Sequence, residues 1–275
     1  MTILMYSILS DPLSIYKLLY SLVLMKKLFA CRFVFLIAMC FALKGHGQSR
    51  TSTENRVLKS DQMLVVVNND WDSLRGKLYA FKRAHGKWQL QFSNAIVLGS
   101  KGLGIGDGLV KLNMAGPVKH EGDKRSPAGI FSLGTAFGYA EKKDARWIKN
   151  PYVQAFDTLI CVDDAGSTNY NKLVDKDTAR RDYKSFEYMH LKKDYYKWGL
   201  FINHNSDPVV ASDGSCIFMH IWENDHTGTD GCTAMTEKNM LRVLHWIDAK
   251  KDPLLMQMPL DLYRKLRGQF SLPAI

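Results

Sequence analysis

The chain has 275 residues, of which 46% are hydrophobic and 23% are charged, and its formal net charge at pH 7 is +10. This length suits one domain with a sizeable core. The basic surplus is consistent with an anionic polymer partner, but it is not gathered into the basic stripe of a nucleic-acid reader, so we expect no nucleic-acid partner.

A secretory signal peptide is predicted at the N-terminus. From Met25 the chain reads "MKKLFACRFVFLIAMCFALKGHGQS", a basic start followed by an apolar run over 33–43 that is too short to span a bilayer. Gly45 and Gly47 are the small residues that precede a cleavage site before Gln48. The sequence therefore predicts a signal peptide over 1–47. Its true start is expected at Met25, so that residues 1–24 are an over-extended gene start.

Anchoring by lipid is the weaker alternative, because Met39 stands where a small residue would have to precede Cys40. An uncleaved anchor stays open. With cleavage we expect no stable membrane insertion and a mature chain, residues 48–275, that forms one catalytic domain in the periplasm or cell envelope.

Cleavage removes five basic residues and one acidic residue, which lowers the net charge from +10 to +6. It also leaves three cysteines, Cys161, Cys216 and Cys232, an odd number for an exported chain. At least one thiol is therefore free or pairs outside the chain.

The first half of the mature chain reads mainly as strands. "LVVVNN", residues 64–69, is a short β-branched run, and "GKLYAFKRAHGKWQLQF", residues 76–92, alternates on both sides of His85-Gly86 as a hairpin does. Residues 163–198 are polar, charged and tyrosine-rich. This segment predicts a long surface excursion with one short helix near Glu187, and such excursions often form binding surfaces or lids.

Two elements flank the last cysteine. In "CIFMHIW", residues 216–222, alternation sends Ile217, Met219 and Ile221 to one face and His220 to the other. In "TEKNMLRVLHWID", residues 236–248, the spacing predicts a helix that begins just after Cys232, with Thr236 as its N-cap. The loop between the two elements contains glycines and is long enough to return Cys232 towards His220.

This approach places a thiol beside a base. A histidine can take the thiol proton and hold the thiolate as an ion pair, which is the arrangement of a cysteine nucleophile for acyl transfer. Gly231 lets the backbone approach a substrate carbonyl, so the N–H groups of Gly231 and Cys232 are candidates for an oxyanion hole.

Three other interpretations stay open at this point. His220 alone is compatible with a hydrogen-bonded strand histidine, and Cys216 is a candidate disulfide partner of Cys232. Zinc held by His204, His220, His226 and Cys232 is the third, although these residues lack the paired spacing of zinc sites. We expect neither a metal nor another cofactor.

The segment "GSCIFMHIWENDHTGTDGCTAM", residues 214–235, resembles the signature of the L,D-transpeptidase family, the YkuD-type domain, in which a strand histidine is followed by a loop and a Gly-Cys nucleophile. "GDKRSPAGIFSLGTAFGY", residues 122–139, and "WGLFINHN", residues 198–205, are similar to the elements that lead into the family's site. The likeness covers roughly residues 60–260.

The resemblance implies a mainly β, sandwich-like catalytic domain with a helix after the nucleophile, acting on peptidoglycan stem peptides. By position it makes Cys232 the nucleophile, His220 the base, and Gly231 with Cys232 the oxyanion site. The second histidine of the common family pattern is replaced by Asp230, and we include Asp230 in the site. A carboxylate there raises the pKa of a neighbouring thiol unless a cation intervenes.

The Gly-Cys-x-Ala-Met ending resembles side branches of the family that include peptidoglycan hydrolases. Transfer and hydrolysis share an acyl-enzyme and differ only in the acceptor, so hydrolysis is the first alternative and a catalytically silent wall-binding module is the second.

The remaining candidate residues lie outside the motif. His204 and Asn205, at the end of an apolar strand, are candidates for substrate contacts or for a structural role at the strand end. Asp163, Asp164 and Glu187 are left outside the site as surface charges, although they are candidates for meeting an amino group of a stem peptide.

Overall fold

Strands dominate residues 59–112 and 115–275, which are the residues that the computed structural model describes. The predicted signal peptide and the start at Met25 lie outside these residues. The strands, in chain order, are β1 (Gln62–Asn68), β2 (Arg75–Ala84), β3 (Lys87–Val97), β4 (Leu103–Ile105), β5 (Ser126–Gly138), β6 (Tyr152–Gln154), β7 (Leu159–Cys161), β8 (Leu173–Asp175), β9 (Glu187–Tyr188), β10 (Trp198–Ile202), β11 (Phe218–Ile221), β12 (Thr233–Met235) and β13 (Leu254–Pro259).

Helices are few in the same part of the chain. They are α1 (Glu237–Trp246), α2 (Leu260–Leu266) and two short 3-10 turns over Asp194–Tyr196 and Ala249–Lys251. The mainly β class expected from the sequence is confirmed. None of the helices in the described residues is long and apolar enough to cross a membrane.

Eight strands form a closed ring of pairings in the order β10, β11, β12, β3, β2, β1, β13, β5 and back to β10. Closure depends on the long strand β5, whose residues 129–132 pair with β13 and whose residues 133–138 pair with β10. The sequence led us to expect sandwich-like layers, whereas the structure joins them into one closed sheet. The pairs β1–β13 and β11–β12 are parallel, and the other neighbours in the ring are antiparallel.

Strand β1 shows how the core is built on both faces of the sheet. Leu64 and Val66 belong to the largest apolar cluster, together with one face of α1, whereas Met63, Val65 and Val67 belong to a second cluster with Tyr263 of α2. Successive side chains of a strand point to opposite faces, so a continuous apolar run is buried on both sides.

Two local predictions are confirmed. The β2–β3 hairpin turns through His85 and Gly86, whose φ angles of 50° and 73° are those of a two-residue turn that matches the twist of the strands. Helix α1 begins after Thr236, whose side chain accepts a hydrogen bond from the N–H of Asn239.

The polar excursion contributes β8 and β9 to a second, three-stranded sheet in the order β8, β7, β9, in which β7 directly precedes the excursion. The predicted helix near Glu187 is wrong, because Glu187 and Tyr188 form strand β9 and pair with Cys161 and Ile160 of β7. The short helical turn of this region lies further on, at Asp194–Tyr196.

Candidate active site

Two neighbouring parallel strands bring Cys232 and His220 to one cavity. His220 lies on β11, and Cys232 directly precedes β12, whose residue Ala234 is the register partner of His220. The backbone N–H of Phe218 donates to Sγ of Cys232 at 3.3 Å, which places the thiol beside the start of β11. The side chains of Ile217, Met219 and Ile221 enter the main core, as predicted. His220 therefore faces the cavity side, and both it and Cys232 line the cavity.

Hydroxyl groups hold the backbone of Cys232 in place. Its carbonyl accepts hydrogen bonds from Oγ of Ser126 at 2.9 Å and from Oγ1 of Thr229 at 2.6 Å. Ser126 in turn accepts the N–H of Gly99 at 2.8 Å. Ser126, the first residue of β5, thus helps to hold the backbone of the candidate nucleophile.

His220 is fixed in one tautomer. Its Nδ1 lies 2.8 Å from the carbonyl oxygen of Ile221, and since a carbonyl only accepts, Nδ1 carries the proton and Nε2 has a free lone pair. Burial lowers the pKa of His220 to about 4, and the Ile221 hydrogen bond opposes this shift. The ring is therefore neutral near pH 7 and can accept a proton at Nε2.

Cys232 is a buried thiol rather than a thiolate. Its Sγ donates to the carbonyl of Cys216 at 3.7 Å, and burial, followed by the negative charge of Glu187, raises its pKa well above the ordinary value. Among the described residues, its hydrogen bonds run to the backbone of Phe218 and Cys216 and not to His220. The resting protein therefore holds a neutral thiol and a neutral imidazole, and the expected thiolate–imidazolium ion pair is not its resting state.

The other two cysteines of the mature chain form a disulfide. Cys161 and Cys216 are joined, and Cys232 is the free cysteine among the described residues. The odd thiol anticipated from the sequence is confirmed, and the alternative of a disulfide between Cys216 and Cys232 is wrong.

Gly231 occupies a conformation that glycine favours. Its φ is 144°, and a Cβ atom there would lie 3.2 Å from the carbonyl oxygen of Arg125. Its N–H already donates to Oγ1 of Thr229 at 3.1 Å, so a role of this N–H in an oxyanion hole requires that bond to be exchanged. In the resting structure Gly231 shapes the turn before Cys232.

Asp230 lies at the rim of the cavity. Its side chain is 89% exposed and its carboxylate is 3.6 Å from Nζ of Lys124. The cation that lowers the pKa of Cys232 is Lys119, and Asp230 is the last and smallest influence that raises it.

His204 and Asn205 do not line the cavity. Both are buried, with the ring nitrogens of His204 near the carbonyls of Asp107 and Asp213 and the side chain of Asn205 bonded to the backbone of Val210 and Gly214. Burial lowers the pKa of His204 to about 4. Substrate contact by these two residues is therefore not what the structure supports, because their polar atoms serve the strand end.

The four residues of the zinc alternative, His204, His220, His226 and Cys232, do not lie together in the structure. His226 lies at the surface against Asp225, and His204 lies outside the cavity that holds His220 and Cys232. Within residues 59–112 and 115–275 no group of three or more His, Cys, Asp and Glu side chains is arranged to hold a metal ion.

Tyr196 is a site residue that the sequence analysis missed, and Glu187 is one that it named but left outside the site as a surface charge. Both line the cavity of about 630 Å³, and the hydroxyl of Tyr196 donates a short hydrogen bond to Oε1 of Glu187. Burial raises the pKa of Glu187 to about 7. Tyr196 also packs edge-on against His220, with 5.1 Å between ring centroids. One signal was present: alternation places Glu187 on the same side as Met189, which is buried.

Comparison with known proteins adds little to this geometry. No protein-family model matches the chain, and no curated protein matches it. A solved structure described as "Structure of Bdellovibrio bacteriovorus Bd1075" is similar at 13% identity and a TM-score of 0.37, over 78% of this chain and 55% of that one. The chain thus spans about half the length of that protein, and a likeness of this size assigns no function.

Proposed function

We propose that the protein is a cysteine-dependent acyltransferase of the L,D-transpeptidase type that acts on peptidoglycan stem peptides. The observation that carries the proposal is the free Cys232, preceded by Gly231 and opening with His220 into one cavity. The proposal includes the finer fold assignment, an L,D-transpeptidase catalytic domain with a helix after the nucleophile. The mainly β class and the position of α1 after Cys232 support it.

The chemistry uses the two neutral groups together. As Sγ of Cys232 attacks the carbonyl carbon of the L-configured end of a diamino acid, its proton passes to Nε2 of His220. His220 then returns the proton to the leaving amine, and the peptide C–N bond breaks to leave a thioester on Cys232. An acceptor amine completes transfer, and water completes hydrolysis.

Export to the cell envelope belongs to the same proposal. The disulfide between Cys161 and Cys216 supports it, because disulfides persist in oxidising compartments and are rare in the cytosol. The basic start and apolar run after Met25 give the signal for that export.

Acylation by a carbapenem tests the nucleophile. Members of the family are acylated by carbapenems, so we expect a mass increase on the purified protein that maps to Cys232. His220→Gln should slow acylation by about 10²–10⁴-fold, the usual contribution of a general base. His226→Gln, a surface histidine, serves as the matched control and should behave as the wild type. Absence of any adduct on the wild type would contradict the proposal.

Hydrolysis and silent binding are the competing functions. The raised pKa of Cys232 is the observation that favours a silent wall-binding module, since it leaves the resting thiol unreactive. Digestion of tetrapeptide-rich peptidoglycan separates the three. Dimers joined through L,D bonds indicate transfer, trimmed monomers indicate hydrolysis, and unchanged fragments indicate a catalytically silent protein.

A further inference from the structure

The cavity around Cys232 is acidic although the chain as a whole is basic. Its lining contains one lysine, Lys124, whereas the chain carries a formal net charge of +10. The acidic lining residues are Glu121, Asp163, Glu187, Glu223 and Asp230. A cavity that concentrates the sign opposite to the protein's own charge favours a cationic ligand.

Glu187 is the innermost of these carboxylates. It is held from one side by the hydroxyl of Tyr196 and from the other by the pairing of β9 with Cys161, which the disulfide joins to Cys216 beside the thiol. Burying a carboxylate costs free energy unless a cation or several donors compensate it. The cations nearby have other partners: Lys119 binds Asp123 at 2.5 Å, and Lys124 lies against Asp230.

Asp163 gives a second, independent indication of a ligand. Its Oδ1 is buried and has no hydrogen-bond partner within the described residues, and its side chain lines the same cavity as Glu187. Buried carboxylate oxygens are normally hydrogen-bonded, so the lack of a partner at Asp163 favours a ligand that brings a donor or a positive charge to this part of the cavity wall.

We propose that Glu187 and Asp163 form a binding site for a primary ammonium group, and that occupation of this site activates Cys232. A primary ammonium has three N–H donors and one positive charge, which suits two carboxylates. The negative charge of Glu187 opposes formation of the Cys232 thiolate. A bound cation offsets that charge, so a substrate that carries an amine assists its own attack by Cys232. This consequence rests on the proposed function, whereas ammonium binding itself does not.

Alkylation of Cys232 by iodoacetamide, a small neutral reagent, tests the proposal without any peptidoglycan. Propylammonium chloride should accelerate the labelling of Cys232 in the full protein by about three- to tenfold at pH 8, which corresponds to a fall of half to one unit in the pKa of the thiol. Tetramethylammonium chloride at equal concentration has the same charge but no N–H donor, and it should change the rate by less than about twofold. Peptide mass spectrometry reads the rate at Cys232.

Variants connect the effect to the two carboxylates. Glu187→Gln should label faster than the wild type without amine and lose the response to propylammonium, and Asp163→Asn should weaken that response even if the first variant folds poorly. Glu141→Gln, which changes an exposed glutamate outside the cavity lining, should respond as the wild type does.

Two outcomes would overturn the proposal: an equal response to both cations, or a wild-type rate that propylammonium leaves unchanged. Either result is independent of the outcome of the carbapenem test. An enzyme that forms the carbapenem adduct but shows no ammonium effect contradicts only the ammonium site.

Discussion

At the scale of single residues, Cys232 and His220 are neutral for the same reason. Both side chains are buried, and burial disfavours the charged form of each, which raises the pKa of the thiol and lowers that of the imidazole. A pair of this kind becomes reactive when proton transfer accompanies attack on a bound carbonyl. The sequence motif indicated which two residues meet, but their charge depends on burial that spacing cannot reveal.

The pH dependence of alkylation follows from this burial. A thiol with a raised pKa forms thiolate only at higher pH, and each unit reduces the thiolate at neutral pH by about tenfold. We therefore expect iodoacetamide to label Cys232 at pH 7 at least about tenfold more slowly than free cysteine, with the rate still rising above pH 9. Peptide mass spectrometry across pH measures this.

Cys161 and Cys216 provide the internal control for that experiment. Because they form a disulfide, neither should be labelled until reductant is added. Rapid labelling of Cys232 at mildly acidic pH would show a stable thiolate and contradict the neutral pair.

At the scale of elements, the three-stranded sheet of β8, β7 and β9 is attached to the site. The disulfide joins β7 to the segment before β11, and the side chain of Asn171 adds three hydrogen bonds, donating to the carbonyls of His204 and Asn205 and accepting the N–H of Cys216. These links fix the strand that carries Glu187 against the residues that surround the thiol.

Loss of the disulfide should therefore affect both stability and the site. For a sequence separation of 55 residues, the constraint on the unfolded chain is worth about 4 kcal/mol. We expect the double variant Cys161→Ala, Cys216→Ala to lose free energy of unfolding of this order in urea titrations and to be acylated more slowly by a carbapenem.

Cys232→Ala, which keeps the disulfide, is the control and should lose far less stability. If the double variant unfolded at the same urea concentration as the wild type, the disulfide would not be a structural link.

Local signals account for what the sequence predicted at this scale. The His85-Gly86 turn, the alternation around His220 and the Thr236 cap each depend on residues close together in the chain, and all three are confirmed. The strand at Glu187 was missed, because its partner strand β7 lies about 26 residues earlier in the chain. The pairing of Cys161 with Cys216 was not predicted either, because the two cysteines are 55 residues apart in the chain.

At the scale of the whole molecule, closure of the sheet depends on pairings between distant segments. Strand β5 meets β10 and β13, and β1 meets β13 across nearly the full described length. Periodicity identifies strands but does not choose their partners, so the mainly β class was predictable and the closed ring was not.

Buried groups set the pH dependence of stability for the whole fold. Burial lowers the pKa of His204 and of His220 from 6.5 to about 4. Between these values the unfolded state binds protons that the folded state does not, so the free energy of unfolding falls as pH falls from 6.5 towards 4. Glu187 acts in the opposite sense. Its pKa is raised from 4.5 to about 7, so the folded state holds a proton that the unfolded state has released, and stability falls as pH rises between these values.

Glu187→Gln isolates the contribution of the glutamate, because glutamine keeps the shape and an oxygen for Tyr196 but does not titrate. Below pH 4.5 the variant and the wild type should have nearly equal free energies of unfolding, since the glutamate is then neutral in both states. The free energy of unfolding of the variant should exceed that of the wild type increasingly as pH rises to 7, and the difference should remain at up to about 3 kcal/mol above pH 7. Urea titrations at a series of pH values measure the difference, and Glu141→Gln, an exposed glutamate, should show almost none. A difference that stays constant with pH would mean that Glu187 ionises normally in the fold, and the buried carboxylate beside Cys232 would then lose its role in setting the charge of the site.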